Sequence, residues 1–304
     1  MRTLSGLAPA KINLGLRVLN RGSDGYHELR TVFQTISLAD QLTIHYDPRG
    51  DGEVALACDV PSLATSDNLA VRAAQCLLRA GGWSGNVVID LKKRIPVGAG
   101  LGGGSSDAAA LLLALRRMLK PRPHLEMLAE VAAGLGTDVP FFLQGGRAVG
   151  LGRGEEVYPL SDQPRRRLVL VAPGIFVSTA EAYRSLRKSR ARLTAAERQL
   201  IINGFQVNIV ASEESGALDP AKLPINDFES VVFQQFPALK EWKKRLVEAG
   251  ASVAMMSGSG SAVFGVFSSL RRARQARKVL RGFGGKVYLA ETIGRSACQA
   301  SWRK

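Results

Sequence analysis

The sequence predicts an α+β protein built in two parts. Its 304 residues are about twice a common domain length, which favours one large domain or two closely packed ones. Hydrophobic residues make up 46% of the chain and charged residues 22%, so the chain can bury a core. Strand-like and helix-like segments are mixed throughout, and the pattern restarts after residue 155. We therefore place a domain boundary near residues 155–165.

Strands and helices are both predicted in the first part. Residues 11–19 alternate apolar and other side chains, which is typical of a half-buried strand, and a turn-rich stretch follows at 20–25. Helical spacing from Asn68 to Ala80 ends at Gly81-Gly82, a common helix stop. The other elements predicted here are strands at 31–37, 41–46 and 87–91 and helices at 107–119 and 125–133.

The second part repeats this mixture of elements. An apolar run at 168–172 predicts a strand, and basic helical material begins at Thr179. The segment 270–280 has apolar residues on one helical face and basic residues on the other. Further helices are predicted at 228–233 and 238–249, and further strands at 252–256 and 262–267.

The net charge of +15, with a pI of about 10.2, is compatible with nucleic acid or an acidic ligand as a partner. Most of the excess lies in two segments: residues 165–198 hold nine Lys or Arg against two Glu, and residues 271–304 hold ten against one. A nucleic-acid site is expected to interleave aromatic and basic residues, but 271–281 contains no aromatic residue. The sequence therefore predicts no specific nucleic-acid partner, and a solvated basic surface explains the charge at least as well.

Hydropathy and cysteine usage predict the cellular compartment. No apolar run approaches the roughly 18 residues of a membrane span, and the N-terminus lacks the apolar segment of a signal peptide. Cys58, Cys76 and Cys298 are far apart and show no paired metal-ligand spacing, which disfavours a disulfide framework or a zinc site. We expect a cytoplasmic protein that does not associate with membranes.

The strongest motif is Pro96-Val-Gly-Ala-Gly-Leu-Gly-Gly-Gly-Ser-Ser106, which joins a predicted strand to a predicted helix. Five of the seven residues 98–104 are glycine, and glycine lets backbone N–H groups converge on an anion. Ser105, Ser106 and Asp107 can cap the following helix, whose positive end faces the same anion. The motif therefore predicts a phosphate-binding loop.

Three other interpretations of this segment are weaker. Gly98, Gly100 and Gly103 match a dinucleotide-binding pattern, but the acidic residue expected about 20 positions later falls in the loop 120–124. A Walker A loop needs Lys at position 104, which is Gly here. A plain connecting turn would not need five glycines, because each glycine costs conformational entropy on folding.

Asp138, in Gly134-Leu-Gly-Thr-Asp-Val-Pro-Phe-Phe142, has two interpretations. An aspartate before Val-Pro is an ordinary helix N-cap, with Pro140 accepted in the first turn. A desolvated carboxylate at the same place can serve as a general base. Lys11 supports the second interpretation only if the fold brings its ammonium beside Asp138, since a lysine on a strand usually meets solvent.

Two further segments contain side chains suited to ligand binding, but their local sequence assigns them no single role. Tyr26 and His27 follow a predicted turn and offer a stacking ring and a hydrogen-bonding imidazole, or simply an edge aromatic and a surface histidine. Ser257-Gly-Ser-Gly-Ser261 is a second glycine-serine loop, and alone it predicts no more than a hairpin turn.

Taken together, these motifs resemble the GHMP kinase superfamily, which shares an N-terminal strand, the phosphate loop and a C-terminal glycine-rich loop. The chain more narrowly resembles the branch that acts on 4-diphosphocytidyl-2-C-methyl-D-erythritol in the non-mevalonate isoprenoid pathway. The segments that carry this narrower resemblance are Pro9-Ala-Lys-Ile-Asn13, Asp24-Gly-Tyr-His27, Gly136-Thr-Asp-Val-Pro140 and Asn226-Asp-Phe-Glu229.

The resemblance implies a two-domain GHMP kinase fold with the active site in the cleft between the domains. Residues 1–160 would form a ribosomal-protein-S5-like ATP-binding domain and residues 161–304 a ferredoxin-like α/β substrate-binding domain. The implied reaction is the ATP-dependent phosphorylation of the substrate's 2-hydroxyl, with ATP accompanied by Mg²⁺, whose protein ligands are not assigned. A mevalonate or homoserine kinase is the alternative, which the Tyr26-His27 pair disfavours because those small alcohols carry no base to stack.

The resemblance also assigns roles to single residues. Asp138 matches the base that takes the hydroxyl proton, and Lys11 matches the residue that holds Asp138 ionised and steadies the oxyanion. Tyr26 and Tyr183 match rings on either side of the cytosine, and His27 matches the reader of its edge. The other substrate-binding positions are Asn13 and Thr179, and the ATP-binding positions are Asn68, Lys93, Pro96, Val97, Gly98, Ala99, Gly100, Leu101, Gly102, Gly103, Gly104, Ser105 and Ser106. We expect small-molecule partners only and a monomer or weak homodimer.

Overall fold

Two β-sheets with helices packed against them organise the molecule. The structure, a computed structural model, describes residues 1–21, 27–189, 193–214 and 225–300. In this part of the chain, one sheet has six strands, which end by Pro159, and the other has four, which begin at Arg167. The α+β prediction with two parts is therefore confirmed. The domain limits 1–160 and 161–304 stay predictions.

Long antiparallel strands form the centre of the first sheet. Its strands are β1 (Arg2–Arg21), β2 (His27–Asp47), β3 (Val54–Cys58), β4 (Asn86–Lys92), β5 (Arg147–Leu151) and β6 (Glu156–Pro159). The sheet order is β3-β4-β2-β5-β6, and β1 pairs with β2. The predicted strands 31–37 and 41–46 are one strand, because Ala39 and Asp40 between them stay paired with β1.

Four helices belong to the first part: α1 (Leu69–Gly81), α2 (Gly103–Met118), α3 (Leu125–Leu135) and α4 (Val139–Gln144). α2 begins at Gly103 rather than at Asp107, because Gly102 adopts a left-handed φ of 70° and takes the N-cap position. The prediction that Ser105, Ser106 and Asp107 cap this helix is therefore wrong. Ser106 instead donates a hydrogen bond from Oγ to the Pro9 carbonyl at 2.7 Å.

The second sheet is antiparallel, in the order β10-β7-β9-β8. Its strands are β7 (Arg167–Ala172), β8 (Val253–Met256), β9 (Val263–Phe267) and β10 (Lys286–Glu291). The helices of this part are α5 (Thr179–Ser189), α6 (Ala195–Glu214), α7 (Glu229–Gln235), α8 (Pro237–Glu248), α9 (Leu270–Leu280) and α10 (Arg295–Gln299). Within the described ranges, no helix is long and apolar enough to cross a membrane.

The two sheets are joined through a shared apolar cluster. Ile12 and Val32 of the first sheet pack in this cluster with Leu168 and Phe264 of the second. All four side chains are fully buried, with exposed fractions of 0%. Loops from both parts can therefore be held in fixed positions at one site.

Candidate active site

The predicted phosphate-binding motif at 96–106, called the glycine loop from here on, leads from β4 into α2. Gly98, Gly100 and Gly102 have φ angles of 67°, 76° and 70°, which side-chain-bearing residues rarely adopt. α2 follows at once, so the N–H groups of its first turn have no partner within the helix and its positive dipole end lies at the loop. Such a helix terminus binds anions, above all phosphate.

Contacts with the second part hold the loop in place. Ser257 Oγ donates to the Gly100 carbonyl at 3.0 Å, and the Ala262 N–H donates to the Ala99 carbonyl at 3.0 Å. A Cβ on Gly100 would lie only 2.3 Å from the Ser257 carbonyl oxygen, so a side chain at position 100 would force the two loops apart. Residues 257–261 are thus the predicted hairpin turn and also the support of the glycine loop.

Lys11 and Asp138 come together beside this loop. The Lys11 ammonium Nζ lies 3.4 Å from Asp138 Oδ2, and the two side chains are 5% and 30% exposed. The backbone N–H of Lys11 donates to the Leu101 carbonyl at 3.0 Å, and a Cβ on Gly102 would lie 3.2 Å from Lys11 Cγ. The fold thus places a buried ammonium and a partly exposed carboxylate next to the phosphate-binding loop.

Asp138 holds the N-cap position of α4, but its side chain makes no capping hydrogen bond. An N-cap aspartate usually accepts from the N–H of the second or third helical residue, and the second here is Pro140, which has no N–H. The carboxylate is directed to Lys11 instead. Asp138 thus occupies the N-cap position without capping through its side chain, and its role as a general base stays a prediction.

A chain of buried polar groups positions the lysine. Lys11 Nζ donates to Asn13 Oδ1 at 2.8 Å, and Asn13 Nδ2 donates to Thr31 Oγ1 at 2.8 Å. Thr31 Oγ1 in turn donates to the Gly15 carbonyl at 2.7 Å. Asn13 and Thr31 are each 1% exposed. Asn13 thus supports Lys11, while its predicted contact with substrate stays a prediction.

Tyr183 and His27 form a stacked pair, with ring centroids 5.4 Å apart and an interplanar angle of 14°. Tyr183 also packs edge-on against Phe228, with the centroids 4.8 Å apart. Burial, and next the negative charge of Asp138, raise the pKa of the Tyr183 hydroxyl, so this ring lies near the carboxylate. His27 therefore stacks on Tyr183, and its predicted contact with the edge of the cytosine stays a prediction. Tyr26 lies outside the described residues.

Thr179 begins α5 and contacts the same hairpin turn. Its Oγ1 lies 2.8 Å from Ser259 Oγ, and Ser259 is buried. Asn226 supports the turn from another side, because its Nδ2 donates to the carbonyls of Met256 and Gly258 at 2.8 Å each. We singled out the segment that holds Asn226 only by resemblance, and the structure gives that residue a supporting role.

Lys93 lies between two buried carboxylates, since its Nζ donates to Asp107 Oδ2 at 2.7 Å and to Asp40 Oδ2. Burial lowers the pKa of Lys93, but the charges of Asp107 and Asp40 outweigh this and raise it. Burial raises the pKa of Asp107 to about 8, although Lys93 opposes the shift. A single ammonium thus lies between two buried carboxyl groups, and burial favours the protonated form of Asp107.

This cluster joins the two ends of the glycine loop. Asp40 Oδ1 accepts from the N–H groups of Arg94 and Ile95, which lead into the loop, at 2.5 and 2.8 Å. Asp107 lies in the first turns of α2, where the loop ends. Sequence reasoning missed Asp40, because nothing near it in the chain marks it as a partner of Lys93.

Asn68 also has a structural role. Its Oδ1 accepts from the Ala70 N–H and its Nδ2 donates to the Leu63 carbonyl, both at 2.9 Å, so it caps α1. Asn68 and Lys93 were predicted to line the nucleotide pocket. Both side chains have partners within the chain here, and their contact with ATP stays a prediction.

Comparison with known proteins agrees with this geometry. The family model for the GHMP kinases N terminal domain matches residues 68–146, and that for the GHMP kinases C terminal matches residues 211–286. The 4-diphosphocytidyl-2-C-methyl-D-erythritol kinase of Solibacter usitatus is 48% identical over 298 residues, which are 98% of this chain and 91% of that protein. The chain belongs to the 4-diphosphocytidyl-2-C-methyl-D-erythritol kinase family.

Further relatives support the same family. The kinase of that name from Pelotomaculum thermopropionicum is 42% identical over 95% of this chain and 98% of its own. A crystal structure of 4-(cytidine 5'-diphospho)-2C-methyl-D-erythritol kinase superposes with a TM-score of 0.78 at 39% identity, covering 95% of this chain and 99% of that one. A homoserine kinase from Cytophaga hutchinsonii has a TM-score of 0.75 at 17% identity, over 100% of this chain and 97% of its own, and shares the fold alone. The family membership therefore favours the narrower resemblance over the homoserine and mevalonate alternative.

Proposed function

We propose that this kinase transfers the γ-phosphate of ATP to the 2-hydroxyl of 4-diphosphocytidyl-2-C-methyl-D-erythritol. The observation that carries the proposal is the 3.4 Å approach of Lys11 Nζ to Asp138 Oδ2 beside the start of α2. Phosphoryl transfer needs positioning and charge neutralisation more than covalent chemistry. A helix terminus for phosphate, a carboxylate and an ammonium provide these in one place.

In this mechanism Asp138 accepts the proton of the attacking hydroxyl. Its carboxylate is partly exposed and makes no capping hydrogen bond, so substrate can reach it. Lys11, held by Asn13, stabilises the ionised carboxylate before transfer and the developing oxyanion during it. The backbone N–H groups at the start of α2 bind the phosphates of ATP.

Tyr183 and His27 supply the recognition of the cytosine base. The two rings are stacked with centroids 5.4 Å apart near Asp138, so an aromatic pair lies beside the proposed reacting centre. A base that stacks on this pair is worth roughly 1–3 kcal/mol of binding free energy by alanine substitution. Thr179, Asn13 and Tyr26 complete the proposed substrate contacts.

Mg²⁺ is proposed to enter with ATP rather than to reside in the protein. Among the described residues, no three His, Cys, Asp or Glu side chains are grouped so as to hold a metal ion. Magnesium commonly binds through substrate phosphates and water with one or two carboxylates. Bound to the phosphates, it neutralises their charge, and we assign it no protein ligands. We further propose a cytoplasmic monomer or weak homodimer.

A coupled ADP-release assay on three acceptors tests the proposal. We expect turnover with the cytidyl substrate to exceed turnover with mevalonate or homoserine by about a hundredfold or more, because only the first offers a base to bind. Phosphorus NMR of the product then locates the new phosphate at the 2-hydroxyl. Comparable turnover of mevalonate or homoserine, or phosphorylation at another hydroxyl, would contradict the proposal.

A further inference from the structure

A cavity of about 750 Å³ lies between α2, α3, α4 and α10. Small-molecule sites commonly have volumes of roughly 300–1,000 Å³, so a ligand of that size fits here. Its walls include the apolar side chains of Leu113, Leu125 and Leu143, and Leu125 is 59% exposed. Neither Lys11 nor Asp138 lines it, but Ser106 of the glycine motif does, with its Oγ hydrogen-bonded to the Pro9 carbonyl at 2.7 Å, so the cavity adjoins the first turns of α2 and not the Lys11–Asp138 pair.

Four arginines line the same cavity: Arg116, Arg117, Arg122 and Arg295. Glu155 is the one acidic residue among the described lining residues, and its carboxylate pairs with Arg153 at 3.0 Å. The lining therefore carries a clear excess of positive charge next to apolar walls. An anionic group attached to an apolar chain is complementary to both features.

Two of these arginines have unusual surroundings. Burial, and next the positive charge of Arg122, lower the pKa of Arg116, with Glu126 opposing the shift, so Arg116 and Arg122 lie near each other. Arg295 Nε is buried without a hydrogen-bond partner among the described residues. An anion between the arginines would offset their repulsion and accept from guanidinium N–H groups beyond those that already donate to the Pro123 and Leu160 carbonyls.

The cavity shares a helix with Asp138. Phe142 and Leu143 of α4 line the cavity, and Asp138 holds the N-cap of that same six-residue helix. The Phe142 ring also packs on the glycine loop, since a Cβ on Gly102 would lie 2.8 Å from it. A ligand that displaces α4 would therefore move both the carboxylate and a support of the phosphate-binding loop.

We propose that this cavity is a regulatory site for an amphipathic anion, meaning an apolar chain that ends in a phosphate or carboxylate. The apolar part of the ligand lies against Leu113, Leu125 and Leu143, and its anionic group binds the four arginines. The binding part of this proposal is independent of the proposed function, and the regulatory part rests on it.

Calorimetry with decyl phosphate, kept below its aggregation concentration, tests the binding on the full chain. We expect one molecule per chain and an affinity at least about tenfold higher than that of inorganic phosphate or decanol. ATP should leave this affinity within about threefold of its value, because ATP is assigned to the glycine loop, which meets the cavity at Ser106 alone. The proposal is overturned if no saturable binding occurs, if decanol binds equally well, or if ATP competes directly.

Two matched pairs of variants locate the binding. Ala129→Trp adds a ring to the cavity lining on α3, whereas Ala133→Trp adds one to an exposed position of the same helix outside the lining. Arg122→Gln removes a lining charge, whereas Arg72→Gln removes an exposed charge on α1. We expect about tenfold weaker binding in the first member of each pair and no change in the second. Equal affinity across all four variants would mean that the probe binds elsewhere.

Steady-state kinetics test the regulatory part. Saturating decyl phosphate should change kcat or the KM for ATP by at least about twofold in the unaltered chain and leave Ala129→Trp unaffected. Inactivity on every acceptor would refute the proposed function and leave the binding result intact. Tight binding without any kinetic change in an active enzyme would overturn the regulatory role.

Discussion

Asp138 is the residue on which the proposed chemistry depends. We expect Asp138→Asn to lower kcat by roughly 10²–10⁴-fold, because the amide cannot accept the hydroxyl proton. The KM for ATP should change little, since phosphate binding is assigned to the glycine loop. The fold should survive, because the Asp138 side chain makes no capping hydrogen bond. Steady-state kinetics measure the change in kcat, and thermal unfolding measures the stability of the fold. Asp51→Asn, at an exposed position, is the control. A near-normal kcat in Asp138→Asn would refute the role of Asp138 as general base.

The raised pKa of Asp107 predicts how the free energy of unfolding depends on pH. Its pKa is about 8 in the folded protein against an ordinary 3.8, so between these pH values the folded state binds more protons than the unfolded state. This contribution to the free energy of unfolding therefore falls as pH rises from about 4 to 8. Relative to the unaltered protein, Asp107→Asn should gain stability steadily as pH rises from about 4 to 8 and keep that advantage at pH 9, because the amide does not titrate.

Urea unfolding of both proteins at a series of pH values measures that difference. Asp90→Asn is a suitable control, because Asp90 is half exposed and its partner is the surface His45. A difference between Asp107→Asn and the unaltered protein that stays constant from pH 5 to pH 9 would mean that Asp107 is ionised throughout.

Tyr183 tests the aromatic surface proposed for the base. Tyr183→Ala should raise the KM for the cytidyl substrate several-fold, whereas Tyr183→Phe should stay near the unaltered value because the ring provides the stacking. His27→Ala should also raise this KM, since His27 stacks on Tyr183. The KM for ATP serves as the internal control. If Tyr183→Ala leaves substrate affinity intact, the base binds elsewhere.

At the scale of elements, the position of the glycine loop depends on its contact with the hairpin turn 257–261. Gly100→Ala places a Cβ 2.3 Å from the Ser257 carbonyl at a φ of 76°, so either the loop or the turn must move. Gly134→Ala, at an exposed position of α3, places its Cβ within 4 Å of no neighbouring atom. We expect Gly100→Ala to weaken ATP binding by about tenfold or more and Gly134→Ala to leave it nearly unchanged. Calorimetry with ATP measures the affinity of each variant. Equal affinities would mean that the contact between the glycine loop and the hairpin turn does not affect nucleotide binding.

At the scale of the whole molecule, part of the basic charge lies on the exposed face of α9. α9 buries Ala273, Ala276 and Leu280 and leaves Arg271, Arg272 and Arg274 exposed. Replacing these three arginines with Gln should keep kcat within about twofold, since surface substitutions of this kind rarely disturb a distant site. Binding to duplex DNA should be weak and should fall steeply with salt. Sequence-selective binding at physiological salt would revive a nucleic-acid role.

The sequence determined those features that neighbouring residues encode. The phosphate loop follows from glycine density between a strand and a helix, and α9 follows from helical spacing of its apolar residues, because backbone freedom and amphipathicity are local properties. The start of α2 was misplaced for a related reason. Glycine is a poor helix former, yet Gly102 caps α2 and Gly103 begins it.

Only the tertiary structure decided which distant groups meet. Asp138 has the same local sequence whether it caps a helix or takes a proton, and the choice depends on Lys11, which is more than a hundred residues away. The partnership of Asp40 and Asp107 with Lys93, and the support of Gly100 by Ser257, likewise join segments that share no local pattern. Charges and hydrogen bonds act over a few ångströms, so the packing of strands, helices and loops, and not spacing along the chain, brings these groups into range.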